Sequence, residues 1–243
     1  MKRNSCILYS VILVLLVTAS AGFTKRKISN EDFISYQVDF KKQQLKLYWK
    51  DEKGQLFRSL GNLKNWLAKN KQQLFFAMNA GMYKTDNSPL GLFIQDNKVV
   101  TALNTKSGSG NFYMKPNGVF YITTDNVAAI CKTENFSNNG KIKYASQSGP
   151  MLVIDGKIHP AFTPVSKNVN IRNGVGILPN NKLIFAMSKS EVNFYEFAKY
   201  FKDLGCYNAL YLDGFVSRTY LPEKNWEQTD GNFGVIVGVT NAP

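Results

Sequence analysis

Between residues 74 and 187 this chain is a succession of short apolar runs, each closed by residues that turn a backbone, and that rhythm restricts its fold. Runs this short suit strands better than helices, and the turn residues between them mark where the chain reverses. Leu74-Phe75-Phe76-Ala77-Met78 is continuously apolar, the pattern of a strand covered on both faces. Residues 91–95 and 98–102 flank Asp96-Asn97, and Tyr113-Met114-Lys115 and residues 119–123 flank Pro116-Asn117-Gly118. Residues 151–154 run into Asp155-Gly156, while 175–178 and 183–186 flank Pro179-Asn180-Asn181-Lys182. All four segments read as hairpins. Upstream, Tyr36, Val38 and Phe40 alternate before the basic turn Lys41-Lys42-Gln43, and Leu45, Leu47 and Trp49 alternate after it. These are two more strands.

Only two stretches carry helical spacing. One spans residues 62–70, with Asn62 as N-cap and Leu63, Trp66 and Leu67 on one face. The other follows Ser190 as cap and Glu191 in the first turn, repeats Phe194, Phe197, Ala198, Phe201 and Leu204 at spacings of three and four, and ends at Gly205. Residues 209–212 and 234–240 complete the strands. The expected fold is α+β: mostly antiparallel, hairpin-rich sheets with two or more packing helices. With 243 residues and 44% hydrophobic content, residues 22–243 can build the core of one domain.

The start of the chain has the form of a secretory signal peptide over residues 1–21. Lys2 and Arg3 precede an apolar stretch from 7 to 17, and Ala19 and Ala21 follow at A-x-A spacing. That stretch is too short to cross a bilayer of ~30 Å as a helix, so cleavage after Ala21 is expected, leaving no integral membrane segment. A retained anchor is the competing reading. The expected location is outside the cytoplasm, periplasmic or secreted. Loss of Lys2 and Arg3 takes the formal charge from +13 to +11. Such a balance favours anionic polymers, or serves only solubility. The lysines are scattered and not interleaved with aromatics, so no nucleic-acid partner is expected. Cys6 leaves with the leader. Cys131 and Cys206 remain, either as one disulfide or as two buried thiols.

Several chemistries are excluded by what is missing. His159 is the single histidine, in a turn-like Lys157-Ile158-His159-Pro160 that reads as a surface loop, so triads with a proton-shuttling His have poor support. Histidine-cysteine zinc sites lack ligands, and no glycine-rich nucleotide cradle follows a strand.

Four polar, glycine-bearing segments remain, each directly after an apolar strand. They are Asn79-Ala80-Gly81-Met82, Gln147-Ser148-Gly149-Pro150, Arg172-Asn173-Gly174-Val175-Gly176 and Asp213-Gly214-Phe215-Val216-Ser217-Arg218. Singly each suits an ordinary turn; together they supply a carboxylate, two guanidiniums, amides and hydroxyls for a pocket. Their order resembles the phosphodiester glycosidase family over residues 74–240. That resemblance implies hydrolysis of a sugar-phosphate diester, with Asn79, Gly81, Arg172, Asp213 and Gly214 lining a surface cavity and Ser148 and Gly149 beside them. Many members continue Asp-Gly with a further Gly and a Ser pair. Here Phe215-Val216-Ser217-Arg218 follows, so Ser217 stands in for the serines and Arg218 adds a phosphate contact.

The chemistry fits that expectation. Ordinary glycosidases need an acid to protonate a poor leaving alkoxide. A phosphate leaves as a stabilised anion, so cationic clamping matters more. Asp213 and Arg172, with Asn79 placed beside them by the resemblance, are the expected catalytic residues. Arg172 and Arg218 grip phosphate, Gly81, Gly149 or Gly214 N–H groups take its charge, and Asp213 assists water or the oxocarbenium-like sugar. Asp213 also suits an Asx turn, Arg172 a structural pairing with that Asp, and Met82, Tyr83 and Phe215 packing. No cofactor is expected; the spacing of Asp213, Asp86 and Asp155 does not call for a divalent metal. The alternative is a non-catalytic module for anionic glycan or envelope polymer. A third reading is a phosphodiesterase that breaks phosphorus–oxygen bonds.

Overall fold

The computed structural model describes residues 28–213 and 216–241. The expected leader, Gly214 and Phe215 lie outside them. Numbering strands along the chain, the first sheet runs β1 (Phe33–Val38), β12 (Leu183–Ser188), β11 (Asn173–Ile177), β13 (Asn208–Asp213), β9 (Met151–Ile154), β10 (Lys157–Ile158). The second runs β15 (Trp226–Glu227), β14 (Thr219–Leu221), β3 (Leu74–Asn79), β16 (Ile236–Asn241), β2 (Gln43–Tyr48). The third runs β5 (Lys98–Thr101), β4 (Phe93–Gln95), β8 (Ile142–Ser148), β6 (Gly118–Thr123), β7 (Ala128–Lys132). All strand pairs among the described residues are antiparallel. With helices α1 (Leu60–Lys69) and α2 (Phe194–Asp203) on two of the sheets, this is the expected α+β class.

The continuous apolar runs are explained by two-sided burial. In β12, Leu183, Phe185 and Met187 enter a central core shared by all three sheets, while Ile184 and Ala186 meet Phe197 and Phe201 of α2. In β3, Phe76 and Met78 face that core, and Leu74 and Ala77 meet Leu63 and Leu67 of α1. Period-two alternation thus feeds two apolar layers at once, except that a register shift against β16 between Phe76 and Leu74 turns Leu74 to the α1 side. A fully buried Leu or Phe contributes roughly 1.5–3 kcal/mol, so these paired layers dominate the stability of the fold.

Details of the sequence reading change. The β4–β5 hairpin turns at Asp96 and Asn97 with φ of 47° and 66°, the left-handed pair that a tight two-residue turn requires. The β9–β10 and β11–β12 hairpins also form. Residues 113–115 do not: a short 3-10 turn, Asn111–Tyr113, replaces the strand, and β6 pairs instead with β7 and β8. β1 and β2 are strands, but they belong to different sheets. Both helices begin elsewhere than expected. Ser59, not Asn62, caps α1 and accepts from the Asn62 N–H at 3.1 Å. Asn193, not Ser190, caps α2 in a reciprocal capping box with Glu196, which leaves Glu191 outside the helix. Gly205 follows α2 at φ +84°, as a left-handed terminator should.

Candidate active site

The sheets bring three strand ends together. Asn79 closes β3 of the second sheet, Asn173 opens β11 of the first, and Asp213 closes β13 beside it. Asn173 pairs across the ladder with Asp213, and a register shift at Asn173/Gly174 sets Tyr211 opposite Gly174. Asn79 and Asn173 are fully buried, and Asp213 is 7% exposed. Asn173 Nδ2 donates to Asn79 O at 2.9 Å and to Asn79 Oδ1 at 2.7 Å, while its Oδ1 accepts the Asp213 N–H at 2.8 Å. The Arg218 N–H donates to Asn79 Oδ1 at 3.0 Å, and Asn79 Nδ2 donates to Asp213 Oδ2 at 3.1 Å.

This network fixes the amide orientations. Two backbone N–H groups, of Arg218 and Asp213, are donors that cannot flip. They hold the oxygens of Asn79 and Asn173 toward themselves, so the Asn79 amino group must face Asp213. The result is a carboxylate with a fixed N–H donor on one of its oxygens. Its charge is felt nearby: burial first and Asp213 second raise the pKa of Tyr83.

Ser148 and Ser217 are buried supports. Ser148 Oγ donates to Leu212 O at 2.8 Å, and Ser217 Oγ lies 3.0 Å from Asp213 O and 3.1 Å from Ile171 O. Ser146 Oγ donates to Ala80 O at 2.7 Å, next to Gly81. There is no room for a side chain at Gly81: a Cβ would stand 2.5 Å from Ser146 Oγ. At Gly149 it would stand 2.6 Å from Asn117 Cβ. Gly214 lies outside the described residues.

The guanidiniums are placed differently from the phosphate grip expected of them. Arg172 is fully buried, with its Nε donating to Val192 O at 2.9 Å, Nη1 to Tyr211 OH at 3.2 Å, and Nη2 to Asn168 O and Oδ1 at 2.8 and 2.9 Å. Its guanidinium carbon lies 3.6 Å from the centre of the Phe194 ring. Burial lowers its pKa, and Tyr211 opposes that. Strand alternation explains the difference: Arg172 and Asn173 are adjacent, so only one can face Asn79. Arg172 thus supports the site from behind, through Tyr211 on the strand that ends in Asp213. Arg218 is 30% exposed at its side chain, with Nε 2.9 Å from both oxygens of Asp230.

Three residues escaped the sequence reading: Asn173, Tyr211 and Asp230. Asn173 lay inside a recognised segment, and its alternation with Arg172 was the available signal. His159 is corrected too. It is 2% exposed, not a surface residue, and takes the Ala161 N–H on Nδ1 at 3.1 Å, which leaves Nε2 to donate to Lys115 O at 3.2 Å. Cys131 and Cys206 are both free thiols. Among the described residues no three His, Cys, Asp or Glu side chains group as metal ligands would, so Asp213, Asp86 and Asp155 do not converge in such a set. Among them, too, no helix is long and apolar enough to cross a membrane.

The phosphodiester glycosidase family profile matches residues 72–240, which include every element of this site. The chain belongs to that family. It is 39% identical over 190 residues to the Escherichia coli K12 protein YigE, covering 77% of this chain and 73% of that one. Its fold is shared with the catalytic domain of zebrafish N-acetylglucosamine-1-phosphodiester alpha-N-acetylglucosaminidase, auto-inhibited by its pro-peptide. There the TM-score is 0.53 and the identity 15%, over 86% of this chain and 88% of that domain. A hypothetical protein from Synechocystis is similar at TM-score 0.55 and 12% identity, over 86% of this chain and 59% of that one. The domain is thus phosphodiester glycosidase-like in both sequence and fold.

Proposed function

We propose that the chain is an exported hydrolase that cleaves the glycosidic bond of a sugar-1-phosphate diester. The observation that carries this reading is the buried Asn173–Asn79 amide relay that presents one N–H to the Asp213 carboxylate, at a junction of two sheets in a chain of this family. A phosphate monoester leaves as an anion, so a single held carboxylate is sufficient where an alkoxide would demand a second, protonated one. Water attacks the anomeric carbon, the bond from that carbon to the phosphate oxygen breaks, and the electron pair leaves with the phosphate. Asp213 takes the water proton or steadies the positive sugar. Backbone N–H groups near Gly81 and Gly149 receive the phosphate charge. Arg172 acts as a positioning residue. The leader of residues 1–21 supports export to the periplasm or beyond, and the positive balance suits a glycan phosphodiester.

The test is hydrolysis of a methyl diester of N-acetylglucosamine 1-phosphate in heavy-oxygen water. Free sugar carrying the label is expected, and Asp213→Ala, shown to be folded, should lower turnover by about 10²-fold or more. Label in the phosphate would instead mark phosphorus–oxygen cleavage. Retention of the diester without turnover would mark a glycan-binding module, and an Asp213→Ala rate near that of the parent would remove Asp213 from the chemistry.

A further inference from the structure

Val165 is the most exposed large apolar side chain among the described residues, at 83%, and Val169, four residues on, is 41% exposed. Two open valines on one loop usually signal a loose segment, yet this loop is tied down along its length. Asn193 Nδ2 donates to Pro164 O and Ser166 O, each at 3.3 Å, from the same side chain that caps α2. Arg172 Nη2 holds Asn168 through both of its oxygens, and Asn170 pairs with the Val192 backbone. A buried guanidinium and a buried Asn thus hold the loop in the shape that leaves both valines open to water.

What lies at either end of the loop indicates the occupant. At one end is the candidate active site: Ile171 O and Asp213 O both lie within 3.1 Å of the Ser217 hydroxyl. At the other end Pro164 forms one wall of a cleft of about 580 Å³, whose lining includes Ile28, Phe33, Tyr195, Tyr200 and Lys199. Phe33 and Tyr200 stack there at 4.0 Å. The size is that of a small-molecule site, and the apolar rings share the lining with Ser29, Asn30, Glu196 and Asp203. Seven residue steps separate Pro164 from Ile171, no more than about 25 Å of chain.

We propose that the Val165–Val169 ridge and the Phe33–Tyr200 cleft form an apolar subsite for the leaving group. The substrate is then a sugar joined through its phosphodiester to an alcohol with a long hydrocarbon chain. This rests on the glycosidase reading and names the substrate class of the same site. The chain runs from the phosphate at Asp213 along the valines into the cleft. Each methylene it buries raises affinity ~4-fold, so two give about 15-fold.

The experiment compares methyl and decyl diesters of N-acetylglucosamine 1-phosphate on the full chain, with decyl phosphate and methyl phosphate as binding probes. A decyl-to-methyl ratio of kcat/KM above about 10 is expected, falling several-fold toward one in Val165→Ser/Val169→Ser. Val99→Ser/Val100→Ser, exposed valines on the remote β4–β5 hairpin, should keep the parental ratio. A ratio near one in the parent overturns the proposal, as does a parental ratio in the Val165/Val169 double variant. Binding to sugar-free phosphatidylglycerol vesicles without binding of decyl phosphate overturns it as well, by assigning the ridge to a bilayer. If neither diester is hydrolysed while decyl phosphate binds at least 10-fold tighter than methyl phosphate, the subsite stands and the glycosidase reading falls.

Discussion

Replacing Asn173 by Asp changes one donor into an acceptor and little else, which makes it a direct probe of the amide relay. In the parent the Asn173 amino group donates to two oxygens of Asn79, at 2.9 and 2.7 Å, in a fully buried position. A carboxylate there would face both as acceptor against acceptor, beside the Asp213 carboxylate. It regains a donor only by taking a proton. Its folded pKa is therefore raised above the unfolded value of ~3.9. For a raised carboxylate pKa, stability is greatest below the unfolded value and is lost as pH rises toward the folded one. At ~1.36 kcal/mol per unit, the deficit relative to the parent is under about 1 kcal/mol at pH 4.5 and about 4 kcal/mol at pH 7. Domains of this kind have roughly 5–15 kcal/mol in hand, so the variant still folds. Urea unfolding of parent and variant, followed by tryptophan fluorescence at both pH values, reads the gap directly. It should widen by about 3 kcal/mol between pH 4.5 and 7. Asn173→Leu, with no group to titrate, should show a deficit independent of pH. A gap of equal size at both pH values in Asn173→Asp would refute the donor assignment, and with it the fixed orientation of Asn79 toward Asp213.

Further expectations follow from other buried groups. Arg172→Lys should destabilise the fold by about 3 kcal/mol or more, because an ammonium cannot serve Val192, Asn168 and Tyr211 at once or stack on Phe194; thermal unfolding near the parental temperature would contradict this. Burial lowers the pKa of His159, so the unfolded chain binds its proton first as pH falls. Stability should then decline below pH ~6.5 until the folded pKa is passed, and His159→Gln should flatten that part of the parental Tm profile. Burial pushes the Cys131 thiol up to about 11 and the Cys206 thiol up to about 12. Both should react slowly with a thiol reagent at pH 8 and rapidly in denaturant, and a mass lower by two hydrogen atoms, indicating a disulfide, would contradict the free state.

How far the site could be read in advance depended on which contacts are local. Asn79, Ser148 and Asp213 stood out because each ends an apolar strand beside a glycine, a relation written within a few residues. Asn173 and Arg172 stood in the same segment but with their roles obscured. Which of two adjacent side chains faces the site depends on what each sheet face packs against. Phe194, Tyr211 and the Val192 carbonyl, which enclose Arg172, come from 20 to 39 residues away. His159 looked exposed because Pro160 and Lys157 mark a turn; the Lys115 carbonyl that buries it is 44 residues distant.

By itself the sequence determined most of the strands and hairpins, the two helices and the ordered polar segments, since these follow from side-chain period and from turn residues that act over a few positions. Only the tertiary structure decided that β1 and β2 part into different sheets, that Asn79 and Asp213 meet across 134 residues, and that Arg172 turns inward. Those outcomes rest on long-range packing. A buried polar group settles where distant partners complete its hydrogen bonds, and no short stretch of chain encodes which partners will arrive.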